Sequence, residues 1–456
     1  MRKDTMINDM TSGSVTKQLL LFSYPFMLSN LLQVVYTLVD MIVVGQFVGS
    51  TGLSGVAIGG DLSTFFTMVC FGFTSAGQIM ISQYVGQGDR ESIKKTTGTM
   101  FTCVIIMALI ITGLSLAFSD GLLRLMNTPE ESLRQARDYA VVCFIGMVFI
   151  YGYNTVGAVL RGMGDSKRPF IFVAIAAALN LVLDLIFVAV FRMDTFGAAL
   201  ATVIGQAVSF IISVVYLYKR REAFGFDFRP RSFIPDPEKI RPMLKLGLPM
   251  ALQFAAISIS MMYVNSLVNK EGGVIASAVS GVGGKLNNIM SIVGNSIGTA
   301  SSAMIGQNIA ARKTDRVSKI TLTSFTICIS FAVFLSAIFL IFPTQIFSIF
   351  DTDPQVLAYA PFYSIVSTLA FITFAIISPF NSLINGIGHA SLALIIAIMD
   401  GVVARIGFVL LFGYAFDLGV KGMWIGSACA GFVTGGLSLI YFISGKWKTR
   451  KLLIDN

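Results

Sequence analysis

The segment RGMGD at residues 161–165 recurs as NGIGH at residues 385–389, which lies 224 positions later in a chain of 456 residues. Other landmarks keep this offset: Pro25 with Pro249, ISQ at 81–83 with IGQ at 305–307, Lys95 with Lys319, and Thr128 with Thr352. Later, FGAALATVIG matches VKGMWIGSACAG after a slip of one residue. An offset that holds over about 140 residues indicates an internal duplication, so the chain is predicted to consist of two similar halves.

The composition of the chain is that of a membrane protein. Hydrophobic residues make up 55% of it, charged residues only 12%, and the mean hydropathy is +0.78. Soluble domains carry about twice that share of charge. Most apolar stretches reach about 20 residues, the length that spans a hydrocarbon core. They predict twelve transmembrane helices, α1 to α12, at about 17–44, 52–82, 96–118, 133–158, 169–191, 196–218, 243–268, 274–304, 317–342, 356–382, 390–414 and 421–444.

The predicted fold class is an all-α integral membrane protein with twelve transmembrane helices in two six-helix lobes. Because each half contains an even number of helices, both halves share one orientation, and a pseudo-two-fold axis along the membrane normal should relate them. The amino-terminal lobe is expected at 1–218, a charged cytoplasmic linker at 219–242, and the carboxy-terminal lobe at 243–456. Two such lobes around a central cleft suit alternating access.

Lysine and arginine are distributed unevenly along the chain, and this sets the orientation. If both termini are cytoplasmic, the cytoplasmic segments hold 25 of these residues and the external loops hold six. This bias is the positive-inside pattern. It predicts a multi-pass protein of the cell (inner or plasma) membrane with cytoplasmic termini. The net charge of +9 is then explained by orientation and by anionic lipid, and it does not indicate nucleic acid.

Ionisable residues inside predicted helices are candidates for function, because charge at membrane depth is costly. Asp40 on α1 follows Gln33 and Tyr36 at spacings of seven and four, so the three side chains share one helix face. On α5, Asn180 precedes Asp184 by one turn. A carboxylate with an amide oxygen forms a hard oxygen site suited to a proton or Na⁺. The alternative is a polar contact that merely joins two helices.

Four other charged residues lie inside predicted helices. Asp61 on α2 and Lys285 on α8 occupy equivalent positions in the two halves. Asp400 and Arg405 are five residues apart on α11, a spacing that places them on different faces of a regular α-helix, so they need not pair. For all four, a structural ion pair and a contact to substrate are both open interpretations.

The sequence contains no pattern that is typical of an enzyme. It has no Walker A loop, no dinucleotide fingerprint after a strand and no nucleophile elbow. Its single histidine, His389, excludes a histidine cluster, and its five cysteines have no metal-type spacing. We therefore expect no enzyme activity, no cofactor and no metal beyond a coupling Na⁺, with transport driven by an ion gradient.

Several motifs together resemble the MATE (multidrug and toxic compound extrusion) transporters over nearly the whole chain. They are the Pro25 segment with Asp40, SQYVGQGD at 82–89, LRGMGDSKRP at 160–169 and NLVLD at 180–184. Within that family the chain is most similar to the DinF-like prokaryotic branch. The resemblance implies antiport, in which protons or Na⁺ run inward while amphipathic, often cationic, organic compounds leave.

The resemblance also implies a set of site residues in the amino-terminal lobe. The cation-coupling residues of the DinF-like branch match Asp40, Asn180, Asp184 and Thr202, and two residues of the surrounding polar network match Tyr139 and Asn154. The NorM-like branch carries further acids on α7 and α10. This sequence has no acid well inside either helix, so coupling is expected to depend on the amino-terminal lobe.

Two alternatives remain open at this stage. A flippase for lipid-linked precursors, from the same superfamily, would need more cations in the cleft to hold pyrophosphate, and only Lys285 and Arg405 qualify. A membrane protein without transport activity, such as a channel subunit, would not explain the duplication together with the buried acids. The partners we expect are a small organic substrate and membrane lipid, with the protein itself a monomer.

Overall fold

The computed structural model describes residues 6–126, 128–452 and 454. The two extreme ends of the chain, which the charge bias places in the cytoplasm, therefore lie outside the described residues. Within the described part of the chain the secondary structure is helical and includes no strand.

Eleven helices among the described residues are long and apolar enough to cross a membrane. One of them, Pro237–Ala310, is broken at Gly273 and contains two spans, α7 and α8, so the total is twelve. The other spans are α1 Val15–Phe47, α2 Ser50–Gln87, α3 Arg90–Ala117, α4 Glu130–Gly162, α5 Lys167–Val190, α6 Asp194–Lys219, α9 Thr314–Ile341, α10 Pro354–Gly386, α11 Ala390–Ala415 and α12 Gly419–Ile443.

The connection between α7 and α8 is a single glycine. Gly273 has φ 59° and ψ −152°, whereas its neighbours on both sides are helical. A side chain is strongly disfavoured at such angles, and glycine is not. The predicted connection at about 269–273 is therefore mostly helical, with only one residue outside the helix.

Most of the outer surface of these helices is apolar. Large hydrophobic side chains such as Leu109, Val333 and Ile440 remain 57%, 58% and 64% exposed. Soluble proteins rarely leave so many apolar side chains in water, whereas a bilayer favours them. The chain is a multi-pass membrane protein.

The chain divides into two compact units. The first contains the residues before Met10 and Tyr24–Ala251, and the second contains Met10–Ser23 and Leu252–Asn456. The first turns of α1 thus belong to the second unit, and the first turns of α7 belong to the first unit. Both changes of unit occur within two residues of the prolines, Pro25 and Pro249, that align in the duplication.

The duplication is visible in the packing within each unit. A Cβ atom added to Gly162 would lie 2.8 Å from the carbonyl oxygen of Gln78, and one added to Gly386 would lie 2.7 Å from that of Ser302. Both pairs are related by the offset of 224 found in the sequence. Glycine is needed at both positions because the helix backbones approach so closely.

The linker after α6 is held against α3 in the first unit. Thr102 donates a hydrogen bond to the carbonyl oxygen of Phe233 at 2.6 Å, and Lys94 pairs with Asp227 at 3.0 Å. The Ser232 hydroxyl and then the Lys94 ammonium hold the pKa of the Asp227 carboxyl well below its usual range. These contacts attach the linker to the first unit as a defined structure.

Candidate functional site

The two acids predicted on α1 and α5 are both buried in the first unit. Asp40 is 5% exposed and Asp184 is 0% exposed. Oδ1 of Asp40 and both carboxylate oxygens of Asp184 lack a hydrogen-bond partner among the described residues. Asp184 also experiences direct electrostatic repulsion from Asp40. Two buried carboxylates with unused oxygens are costly unless a cation or proton joins them.

Asn180 and Thr202 lie together beside these acids on neighbouring helices. Asn180 Nδ2 donates to Thr202 Oγ1 at 3.2 Å, while Asn180 Oδ1 is buried and has no hydrogen-bond partner in the described part of the chain. α5 and α6 can approach this closely because of Gly205, where an added Cβ would lie 2.9 Å from the carbonyl oxygen of Ala176. The sequence thus brings two predicted site residues into contact through one glycine.

A small cavity lies at this contact. It is lined by Tyr36, Ala176, Asn180, Thr202 and Gln206. Three of these side chains were predicted as part of the site or its polar network. Gln206 was missed, although its position one turn after Thr202 on the same face of α6 is a signal that could have found it. Its Oε1 is buried and has no hydrogen-bond partner among the described residues.

The predicted supporting residues are placed in different ways. Tyr139 is 7% exposed and interacts electrostatically with Asp40, Tyr36 and Asp184. Asn154 is buried too, but its amide donates within its own helix, to the carbonyl oxygen of Ile150 at 2.8 Å.

Gln33 is exposed, in contrast to the other members of the predicted network. It shares a face of α1 with Tyr36 but does not line the cavity. Its inclusion in the polar network stays a prediction.

The chemistry available in the first unit is that of a hard cation or a proton. Around the two acids and the cavity, the buried atoms without a hydrogen-bond partner among the described residues are oxygens of Asp40, Asn180, Asp184 and Gln206. Carboxylate and amide oxygens are the ligands that such ions prefer. Soft ligands do not lie in this lining.

A family model described as MatE matches residues 25–186 and 249–411. The chain belongs to the MATE family. The two matched segments begin at Pro25 and Pro249, the prolines that align in the duplication. Proteins of this family are transporters with twelve helices in two lobes, so the chain is a transporter and not an enzyme.

Curated relatives agree with this assignment over almost the full length. The chain is 32% identical to the "Probable multidrug resistance protein YpnP" of Bacillus subtilis (strain 168), covering 98% of this chain and 99% of that one. It is 23% identical to the "Multidrug export protein MepA" of Staphylococcus aureus (strain NCTC 8325 / PS 47), covering 88% of each chain.

Solved structures show the same fold. An outward-facing multidrug resistance MATE family transporter of the MOP superfamily has a TM-score of 0.91 at 23% identity, covering 97% of this chain and 98% of that one. A MATE structure in the straight conformation has a TM-score of 0.89 at 23% identity, covering 95% and 97%.

In the second unit of this MATE protein, Asp400 and Arg405 form an ion pair, although their spacing left pairing open. Arg405 Nη2 lies 3.1 Å from Asp400 Oδ1, and both side chains are largely buried. The reason is local: Met399–Ile406 is a π-helix, whose backbone bonds join residues five apart, so these two side chains lie close together. Asp400 and Arg405 thus form an ion pair, and whether they also contact substrate stays a prediction.

The ion pair lies at the position that corresponds to the contact between Asn180 and Thr202 in the first unit. With the one-residue slip, Arg405 aligns with Asn180 and Ser427 aligns with Thr202, and Arg405 Nη1 lies 3.3 Å from Ser427 Oγ. The guanidinium thus replaces the amide of Asn180 in this contact. Valines replace the two buried acids, Val264 for Asp40 and Val409 for Asp184.

Asp61 and Lys285 are both exposed, and neither forms an ion pair with another described residue. The Lys285 ammonium lies 5.7 Å from the ring centroid of Phe350. For these two residues a contact to substrate stays a prediction.

Proposed function

We propose that this MATE protein is an ion-coupled antiporter that exports amphipathic, mainly cationic, organic compounds by alternating access. It works as a monomer in the cell membrane, with both termini and the linker in the cytoplasm. Protons or Na⁺ entering the cell drive the export, and Asp40, Asn180, Asp184 and Thr202 bind the ion.

One observation carries the proposal. Asp40 and Asp184 are buried in the same unit and repel each other, and oxygens of both carboxylates have no hydrogen-bond partner among the residues that the structure describes. A purely structural pair of acids would be satisfied by donors, as buried polar groups generally are. An unsatisfied pair instead favours the conformation in which a proton or Na⁺ is bound.

The coupling step follows from this repulsion. Binding a proton or Na⁺ neutralises part of the charge and removes the repulsion, so the ion stabilises one conformation over the other. Asn180 and Thr202 supply neutral oxygens that fix the geometry, and their mutual hydrogen bond at 3.2 Å holds them in place. Release of the ion restores the repulsion and reverses the preference.

The substrate class follows from charge. Buried carboxylates attract cations and repel anions, and the relatives named above are called multidrug resistance or multidrug export proteins. The flippase alternative requires free cations for pyrophosphate. Arg405, one of the two cations it could use, is already paired with Asp400.

The test is efflux of ethidium, a cationic dye, from proteoliposomes with the proton gradient and the Na⁺ gradient collapsed separately. We expect collapse of one gradient to abolish efflux. Asp40→Asn and Asp184→Asn should abolish gradient-driven efflux at normal folding, since the amide keeps the shape and removes the charge. Asn180→Ala should reduce gradient-driven efflux less than either acid variant, because it removes only one neutral ligand.

Lys285→Ala is the control for this test. Lys285 is exposed in the second unit and lies outside the proposed ion site. Its loss should leave the dependence on the ion gradient unchanged, even if the range of exported dyes shifts. Full gradient-driven efflux by Asp40→Asn at normal expression would refute the proposal.

A further inference from the structure

Arg161 lies in the last turn of α4 and is partly buried within the first unit. Its Nε donates to Oε1 of Gln78 on α2 at 2.8 Å, and its guanidinium lies 6.0 Å from the ring centroid of Phe26. The sequence pattern assigned this residue to a cytoplasmic loop. The structure instead places a permanent positive charge among helices, with its plane oriented by one amide.

No carboxylate neutralises this charge among the described residues. The acid one turn further on, Asp165, forms an ion pair with Arg168 and accepts hydrogen bonds from the backbone nitrogens of Lys167 and Arg168. The Nη1 and Nη2 atoms of Arg161 have no hydrogen-bond partner in the described chain. A guanidinium whose Nε is hydrogen-bonded and whose two Nη atoms have no partner can donate both Nη atoms to an oxyanion.

The duplicated half shows that the helix packing at this position does not require a charge. Arg161 aligns with Asn385, and the close contact beside it is repeated almost unchanged, with Gly162 against Gln78 and Gly386 against Ser302. A neutral residue therefore completes the same helix contact in the second unit. The positive charge in the first unit needs another explanation.

The guanidinium packs against the helix that carries it. A Cβ atom added to Gly157, one turn before Arg161, would lie 2.8 Å from Nη1, and the second half has Asn381 at this position. Tyr153 is 91% buried, interacts electrostatically with Arg161, and its hydroxyl has no hydrogen-bond partner among the described residues. Only glycine at 157 lets the guanidinium lie against α4, and the Tyr153 hydroxyl is an additional donor.

We propose that Arg161, with Gln78 and Tyr153, forms a binding site for a monoanionic oxyanion, either a carboxylate or a phosphodiester. One guanidinium matches one negative charge, and its two free Nη atoms match two oxygens in a bidentate pair. The anion is carried either by a zwitterionic solute or by the headgroup of an anionic lipid. Arg161 and Gln78 do not line the cavity beside Asn180 and Thr202, whereas Tyr153 interacts electrostatically with Tyr36, which does line it.

A matched pair of dyes tests the solute. Tetramethylrhodamine carries a free carboxylate, and its methyl ester differs only in having that carboxylate blocked. Binding of each to the purified protein in phosphatidylcholine nanodiscs is measured by fluorescence anisotropy without any gradient. Arg161→Asn should weaken binding of the free acid by at least about tenfold, the loss of a hydrogen bond to a charged group. Binding of the ester should change by less than about threefold.

Phosphatidylglycerol tests the lipid. Its retention by the protein in native mass spectrometry is compared with that of phosphatidylcholine, for the wild type and for Arg161→Asn. If Arg161→Asn selectively loses retention of phosphatidylglycerol, the ligand is a lipid headgroup. If it selectively loses binding of the carboxylate dye, the ligand is a solute. Either result supports the site.

Arg161→Asn copies the residue of the second half, so it should fold, and thermal unfolding checks this. Arg161→Lys keeps the charge but loses the bidentate geometry and should give an intermediate effect. The proposal is overturned if Arg161→Asn weakens binding of both dyes equally. It is also overturned if the variant changes neither binding of the free acid nor retention of phosphatidylglycerol. In those cases Arg161 serves only to join α4 to α2. Since no gradient is present, these results do not depend on whether efflux is ion-coupled.

Discussion

Gln206 adds an amide oxygen to the cavity that Asn180 and Thr202 line. Since this oxygen is buried and has no hydrogen-bond partner within the described chain, it is available to a bound ion. We predict that Gln206→Leu, which keeps the volume and removes the oxygen, weakens binding of the coupling ion by roughly tenfold, the typical loss of one ligand of this strength. The measurement is the ion-dependent rise in thermal unfolding temperature, which follows from binding to the folded state.

Gln135 provides the control for this variant. It is another glutamine of the first unit whose Oε1 is buried with no hydrogen-bond partner among the described residues, but it does not line the cavity. Gln135→Leu should leave the ion-dependent shift unchanged. Equal effects of the two variants would mean that Gln206 acts through general packing and not through the ion.

The turn between α8 and α9 carries local strain that its counterpart avoids. Gly88 ends α2 with φ 76°, and the equivalent residue after α8 is Arg312, with φ 59°. Left-handed backbone suits glycine and costs other residues free energy. We therefore predict that Arg312→Gly raises the free energy of unfolding by roughly 0.5–1 kcal/mol, measured as a higher unfolding temperature.

The reverse change tests the same cause. Gly88→Ala should lower the unfolding temperature, because alanine at φ 76° is strained although an added Cβ meets no atom within 4 Å. An unchanged or higher unfolding temperature for this variant would show that backbone conformation does not limit stability at these turns.

At the level of helices, the sequence predicted most of the arrangement but not its irregular parts. Length and hydropathy located all twelve spans, because each must bury its backbone polar groups in a bilayer. The π-helix at Met399–Ile406 could not be found, since it depends on backbone hydrogen bonding that no residue pattern specifies. For this reason the pairing of Asp400 with Arg405 was left open. Arg161 was assigned to a loop because α4 was predicted to end at 158, whereas the helix continues to Gly162.

For the whole molecule, the orientation predicted from charge can be measured at one exposed residue of the linker. Ile234 is 67% exposed, whereas Ser232 donates to Asp227 at 2.5 Å and is a poor position for a label. With Cys103 and Cys429, the partly exposed cysteines, replaced by serine, Ile234→Cys should be labelled only after cells are permeabilised. A cysteine in place of Val274, which follows the break between α7 and α8 and is 84% exposed, should be labelled in intact cells. Labelling with the opposite pattern would contradict the positive-inside orientation.

The two units differ most at equivalent positions. The first has the buried Asn180 oxygen with no partner among the described residues, and the second has the ion pair of Asp400 with Arg405. In the second unit the Arg405 guanidinium occupies the position of a bound cation, held by Asp400 at 3.1 Å and by Ser427 at 3.3 Å. If Asp40 and Asp184 bind the coupling ion as proposed, this is a physical reason why the second half of the duplicated chain has no counterpart of these acids. A charge that is already neutralised by its own chain cannot respond to an ion gradient.

Replacing this internal cation tests the asymmetry. Arg405→Asn copies Asn180 and leaves the Asp400 carboxylate buried without a partner, which should destabilise the protein by about 3 kcal/mol at neutral pH. Lowering the pH, or adding Na⁺ if the new site accepts it, should restore stability, because either neutralises Asp400. Asp400→Asn instead leaves an unpaired guanidinium, which acid cannot neutralise, so low pH should give no rescue. The double variant with both substitutions should regain most of the lost stability, and its stability should not respond to pH or Na⁺ through this site. Thermal unfolding across pH and Na⁺ concentration measures all four proteins, and rescue of Asp400→Asn by acid would show that the pair does not act as an internally neutralised site.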